Sequence, residues 1–523
     1  MTIPSQQYGE VSLQPVETSL LTDVLEIWNS LFTPAIDQGP EVVPTVTALL
    51  NAFLPIVLVG FVVTLLLSPV ARWLAIKLDI VDRPDGKRKI HRVPVAYLGG
   101  ASVFAGVLAA IFTFDLLMRF DVPKGEGWLL ADYPPVPLAV VFGLFAIFVT
   151  GLLDDVFHWD PRLKIAGQLI AAAALALTDV GTGAMQGLIS PVLISLVPDG
   201  VQPVSIGVAN ATLSVWSGID PADATYTWRY IPWLTADGVY YWIGVAFIGA
   251  MVLGACNAAN LIDGLDGLLT GSVSLMSVGF AVVAITLAIL DVQERIEFEE
   301  RSIAGVTAVD SVSNTDEFQA LVNDPTDQFT RSPGSPLRSQ AEIDPMAGAR
   351  IAIALAVLGA CLGFLPYNFN PAVMFLGDAG SLMLGFLCAV LIIMLGSEGR
   401  THYVVAGLLI FALPIIDTVL AIIRRKLAGL SMSTADRNHI HHMMLRACGS
   451  VKKAVMCLYG LNVVFVLLGV GLAMTVAFGG ARYLMVYGVA TLVFGFIGAI
   501  AVKTALRDRW IQQGSPTDAT PDQ

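Results

Sequence analysis

Charge is scarce in this sequence. Asp, Glu, Lys and Arg make up 14% of its 523 residues, against roughly 25% in an ordinary soluble domain. That excludes a solvated globular fold for most of the chain. Basic residues are scarcer still, and the formal net charge of −13 excludes nucleic acid as a partner. The first 45 residues hold no Lys or Arg, so the charged region that opens a cleavable signal peptide is missing. Only five cysteines occur, Cys256, Cys361, Cys388, Cys448 and Cys457. They show no metal spacing and read as small buried hydrophobes.

Apolar residues take the place of charge: 55% of the chain is hydrophobic and the mean hydropathy is +0.73. Many runs reach the ~20 residues that cross a bilayer as a helix. The runs are continuous rather than alternating, which argues against a β-barrel. The expectation is an all-α polytopic membrane protein with about eleven transmembrane helices. The runs lie near 48–70, 98–118, 137–153, 163–178, 238–256, 268–290, 349–365, 380–396, 403–423, 454–476 and 481–503. Residues 1–47 then form a non-cytoplasmic segment, 48–503 the membrane domain, and 504–523 a disordered cytoplasmic tail.

Basic residues choose the cytoplasmic side. They cluster after the first run (Lys77, Arg83, Lys87, Arg88, Lys89, Arg92) and after the ninth (Arg424, Arg425, Lys426, Arg437, Arg446). This predicts an outside N-terminus, a multi-pass protein of the cell membrane, and an inside C-terminus. The outer loop 179–237 is rich in Gly, Pro and Ser, and alternation in Val204–Val215 suggests a short hairpin. The outer stretch 291–347 is acidic and polar and reads as a flexible linker, so Asp291→Asn is expected to do little.

Five polar clusters fall on one predicted membrane face, where polar groups are costly unless they serve a site. Asp82–Gly100 carries Lys89, His91 and Arg92, cations suited to phosphate; an ordinary basic flank reads equally well. Gly151–Lys164 carries Asp154 and Asp155 at a helix C-terminus, where they oppose the helix dipole and capping does not explain them. Asp160-Pro161 reads as a helix start, and Lys164 has the reach of an interfacial phosphate. Cys256–Gly271 holds Asn257, Asn260, Asp263 and Asp266; a Gly/Asx turn is the plain alternative. If a helix continues through them, the two amides share one face, and Asn and Asp oxygens suit Mg²⁺. Phe364–Gly385 holds Asn368, Phe375 and Asp378, a niche for a nucleobase and a metal, although Asp378 also fits a helix N-cap. Asp436–Gly449 holds half of the six histidines, His439, His441 and His442, beside Arg437. That group suits phosphate binding or proton handling, with zinc as a second reading.

In this order, NAANLIDGLDGL, MFLGDAGS and DRNHIHH resemble the polyprenyl-phosphate N-acetylhexosamine-1-phosphate transferases, glycosyltransferase family 4. The likeness runs from about residue 50 to 503. It implies a membrane enzyme that uses Mg²⁺ (or Mn²⁺) to move a sugar 1-phosphate from a UDP-sugar to undecaprenyl or another polyprenyl phosphate, releasing UMP. It further implies Asn260 and Asp378 as metal ligands, Phe375 stacking uracil with Asn368 beside it, and Asp154 and Asp155 at the lipid phosphate. Asp263 and Asp266 would lie beside the nucleotide, and the three histidines and Arg437 over the sugar diphosphate. Lys89, His91, Arg92, Lys164 and Asn257 complete the substrate-binding candidates, and a homodimer is compatible with the likeness. The DRNHIHH loop looks like the WecA/TagO branch, which makes UDP-N-acetylglucosamine the expected donor. The alternatives are an MraY-type phospho-MurNAc-pentapeptide transferase and, from another class, a membrane transporter. Ala96 and Tyr97 depart from the family, standing where Pro and a basic residue are usual.

Overall fold

The computed structural model describes residues 45–83, 94–119, 133–189, 204–208, 211–215, 236–312, 344–427, 429, 439–479 and 483–514. Apolar runs become helices because a helix satisfies its own backbone, the requirement that lipid imposes. In chain order they are α1 (Val46–Lys77), α2 (Gly99–Arg119), α3 (Leu138–Phe157), α4 (Pro161–Leu177), α5 (Ala236–Ile262), α6 (Leu268–Val312), α7 (Ala347–Asn368), α8 (Gly377–Leu395), α9 (Thr401–Ile410), α10 (Ala412–Leu427), α11 (Ile440–Cys448), α12 (Val451–Ala477) and α13 (Tyr483–Gly514). Two small antiparallel pairs join them. β1 (Val81–Asp82) pairs with β2 (Val95–Ala96), and β3 (Val204–Val208) with β4 (Ala211–Val215), the hairpin expected from alternation.

Eight of these helices are long and apolar enough to cross a membrane. The count reaches ten if each of two bent pairs is one span: α4 with Thr182–Ile189 (84°) and α9 with α10 (78°). The last apolar stretch, Leu484–Ala499, is shorter. Run length alone foresaw eleven; it cannot see a helix that turns by a right angle.

The centre is built from α8, α7 and α6, whose apolar windows are 94%, 83% and 78% buried, whereas α1 is only 28% buried. The first three form the core, and α1 presents Leu54, Leu58 and Leu66 outward. Small residues let the central helices touch at backbone distance. A Cβ on Gly100 of α2 would lie 2.4 Å from the Gly380 nitrogen of α8, and one on Gly151 of α3 would lie 2.5 Å from the Ala379 Cα. Both contacts fall on the first turn of α8.

The linker reading of 291–347 needs correction at both ends. Helix α6 continues to Val312, because its Glu, Gln, Arg and Ala residues are strong helix formers despite their polarity. Asp291 is buried: its Oδ1 accepts from Arg400 at 2.7 Å, and Asp344 lies 2.8 Å from the buried Arg350. Arg350 also donates to Ser397 Oγ at 2.9 Å and the Met394 carbonyl at 3.0 Å. This ionic layer ties α6, α7 and the α8–α9 turn at the end remote from the first turn of α8. Helix α13 likewise runs past residue 503 to Gly514. Residues 1–44, 313–343 and 515–523 lie outside the described residues.

Candidate active site

The first turn of α8 collects side chains from four parts of the chain. Its N-cap is Leu376, which makes no side-chain cap; the capping acceptor comes from α3 instead. Asp155 Oδ1 accepts the Asp378 N–H at 2.7 Å and Oδ2 the Ala379 N–H at 3.0 Å. So Asp155 does cap a helix, though not its own. Asp378 turns into the site, accepting from Asn260 Nδ2 at 2.8 Å. Lys164, at the start of α4, pairs with Asp154 at 2.7 Å and also bonds Asp378. Asp160 caps α4 as expected, accepting from the Arg162 N–H at 2.8 Å, and that start directs Lys164 back toward α3.

Helix α5 does continue through Asn257 and Asn260. Asn257 donates to Gln168 of α4 at 2.9 Å and to the Leu253 carbonyl at 2.7 Å. Asn260 also donates to Ser381 at 2.9 Å. After α5 the chain turns through Asp263–Gly267. Burial, then the Asp378, Asp155 and Asp266 carboxylates, push the Asp263 carboxyl up to about 8. Asp266 binds the opposite loop, accepting from Asn370 Nδ2 at 2.8 Å and the Ala372 N–H at 3.0 Å.

Asn368 is 2% exposed. Its oxygen accepts from Thr270 at 2.8 Å and its nitrogen donates to the Met374 carbonyl at 3.0 Å, so the amide shapes the loop that carries Phe375. The Phe375 N–H bonds the Ala96 carbonyl at 2.8 Å, and its carbonyl accepts from Gly99 at 3.0 Å. Tyr97, one of the two departures from the family pattern, meets Phe375 edge-on with centroids 6.0 Å apart.

The histidine cluster reaches the same place. His441 is 3% exposed and sits on the turn after α5, where a Cβ at Gly264 would lie 2.3 Å from its Nε2. Burial, then the adjacent His442, pull its imidazole down to about 4. His439 stacks on it, centroids 5.5 Å apart and planes 8° from parallel, and His442 lies 4.3 Å away. Sequence reasoning missed the residue beneath them. Asp417 of α10 is fully buried, with Oδ2 2.9 Å from His439 Nδ1 and Oδ1 accepting the Ile440 N–H at 2.7 Å. An acid inside the ninth apolar run was the available signal. Lys89, His91, Arg92 and Arg437 lie outside the described residues.

Asp154, Asp155, Asn260, Asp263, Asp378 and Lys164 thus form one cluster, with His441 at its edge. Four acids stand against one lysine, a charge balance suited to a divalent cation. Among the described residues no three His, Cys, Asp or Glu side chains are grouped to hold a metal, so an all-protein cage or zinc site does not fit. A hard cation that takes one or two protein oxygens and completes its shell with water and substrate phosphate does fit. Asn260 uses its amide nitrogen within the fold, which leaves the oxygen for such a cation.

Residues 137–396 match the family model for glycosyl transferase family 4. That span runs from α3 to the end of α8 and holds every acid of the cluster. The chain belongs to this family. It is 25% identical over 414 residues to a probable undecaprenyl-phosphate N-acetylglucosaminyl 1-phosphate transferase of Bacillus subtilis, covering 78% of this chain and 83% of that protein. It is 26% identical over 452 residues to a decaprenyl-phosphate N-acetylglucosaminephosphotransferase of Mycolicibacterium smegmatis, covering 83% and 85%. A third relative, an undecaprenyl-phosphate alpha-N-acetylglucosaminyl 1-phosphate transferase of Yersinia pestis, is 27% identical over 380 residues, covering 72% and 73%. Within family 4, the His439–His442 cluster lies outside the matched span and joins it through the Gly264 turn.

Proposed function

We propose that this family 4 protein transfers N-acetylglucosamine 1-phosphate from UDP-N-acetylglucosamine to a polyprenyl phosphate. The observation that carries the reading is the contact between Asn260 and Asp378, 2.8 Å apart although 118 residues separate them, with Lys164 and Asp154 against the same acid. The acceptor is a phosphate monoester with a second pKa near 6, so near neutral pH it attacks without a protein nucleophile. Its oxygen forms a bond to the phosphorus carrying the sugar. The bond from that phosphorus to the UMP oxygen breaks, and UMP leaves with the electron pair.

Two anions must meet for this to happen. Asn260 and Asp378 would hold Mg²⁺, with Mn²⁺ as substitute; when bound, the cation neutralises diphosphate charge and favours in-line geometry. Lys164 brings positive charge between Asp154 and Asp378. Asp155 spends both oxygens on α8 amides, which leaves Asp154 as the better base for the lipid phosphate. Phe375 is the uracil platform, held by Asn368. Counting each bent pair and Leu484–Ala499 as one crossing supports a cytoplasmic site, basic loops on that same side and an outside N-terminus.

The test is purified full chain with polyprenyl phosphate and a panel of UDP-sugars, read by UMP. Mg²⁺-dependent UMP release with UDP-N-acetylglucosamine is expected. Release only with UDP-MurNAc-pentapeptide would favour the MraY-type reaction, and no release with any donor would remove the transferase reading. Phosphorylated enzyme trapped with UDP-sugar alone would replace direct displacement by a covalent route through Asp263.

A further inference from the structure

We propose that Asp417 is a positioning residue of the transferase site, acting through His439; the proposal deepens the reading above and rests on it. A buried carboxylate is costly unless its charge is met by donors. Asp417 is 0% exposed, and among the described residues its two hydrogen-bond partners both come from the start of α11. One oxygen takes the His439 Nδ1 at 2.9 Å and the other the Ile440 N–H at 2.7 Å. The second bond satisfies a donor that α11 leaves open, because its N-cap residue His439 makes no side-chain cap.

The first bond sets the imidazole. An ionised carboxylate only accepts, so Nδ1 carries the hydrogen and Nε2 is the nitrogen left for a ligand. Partners of this kind fix tautomer and ring orientation. The ring so fixed lies parallel to His441, which rests on Gly264 beside Asp263. Asp417 therefore reaches the turn after α5 through two stacked rings and touches none of the acids there. Its role is to aim His439 Nε2 at the phosphate of the leaving UMP, where the ring, once Nε2 also carries a proton, offsets developing charge as an imidazolium.

Two measurements on the full chain test this. The first is a double-mutant cycle on UMP release with Asp417→Asn, His439→Ala and both. Asp417→Asn should lower kcat by about 10–100-fold, as loss of an orienting partner does, with KM for UDP-N-acetylglucosamine within about twofold. The double variant should be no slower than His439→Ala alone. Effects that multiply would overturn the proposal, since a purely structural Asp417 would not need His439 to be felt. The second is ¹⁵N NMR of histidine-labelled protein at a pH where His439 is neutral, with His439→Gln to assign the resonance. It needs neither activity nor a folded Asp417 variant. Hydrogen on Nδ1 is expected, and hydrogen on Nε2 instead would sink the proposal. A wild type that releases no UMP would refute the transferase reading, while the NMR arm would still decide the tautomer.

Discussion

Lys164 stands between Asp154 and Asp378, and its removal leaves two carboxylates facing each other. Lys164→Met should cut UMP release by at least about 100-fold, and Lys164→Arg should not restore it, because a planar guanidinium does not replace a point charge between two acids. Asp378→Asn should abolish turnover with membrane insertion and elution unchanged; normal turnover with metal still required would take Asp378 out of the metal site. Asp263 makes a pH prediction. Its folded pKa of about 8 lies above the usual 3.8, so the folded state binds the extra proton. Stability from this group is complete below about 4 and is lost as pH rises through about 8. Melting temperature in a chelator should therefore fall between those values, and Asp263→Asn should flatten the fall. Several of these residues were legible because a polar group at the end of an apolar run needs a reason to be there. Their partners were not: Asp155 meets amides 223 positions away, and no local pattern encodes that distance.

At the scale of elements, the first turn of α8 depends on close backbone contacts. A Cβ on Gly151 would sit 2.5 Å from Ala379 Cα, so Gly151→Ala forces α3 and α8 apart. Overpacking of this kind costs about 1–3 kcal/mol, to be read as a lower melting temperature together with lost activity. The far ends of α6 and α7 behave differently. Asp291→Asn removes the acid that meets Arg400 at 2.7 Å. Breaking a buried pair costs roughly 3–5 kcal/mol, and the lower end applies because the Arg400 side chain is 22% exposed. Unfolding should shift accordingly while turnover per folded molecule stays the same. Composition misread this stretch because helix formers and linker residues overlap in polarity. The partner of Asp291 lies 109 residues on, beyond any window.

Across the whole molecule, the apolar runs were the readable part, and each falls on a helix except the ninth, which falls on two. The bends were not readable: α9 and α10 form one apolar stretch by composition, yet turn by 78°. That bend places Asp417 under His439. The five polar clusters were expected on one membrane face, and contacts now join them directly: Ala96 with Phe375, Asp155 with α8, Asp266 with Ala372, and His441 with Gly264.

The double grip of Asp155 on Asp378 and Ala379 has a mechanical consequence. The closing turn of α3 and the opening turn of α8 are stitched side chain to main chain by one short carboxylate, with Lys164 as a second bridge between Asp154 and Asp378. The separation of Asp154 and Asp378 is then set by the backbone grip of Asp155 and does not depend on Lys164 alone. The two acids thus owe their spacing to a short, rigid clasp between two helix ends.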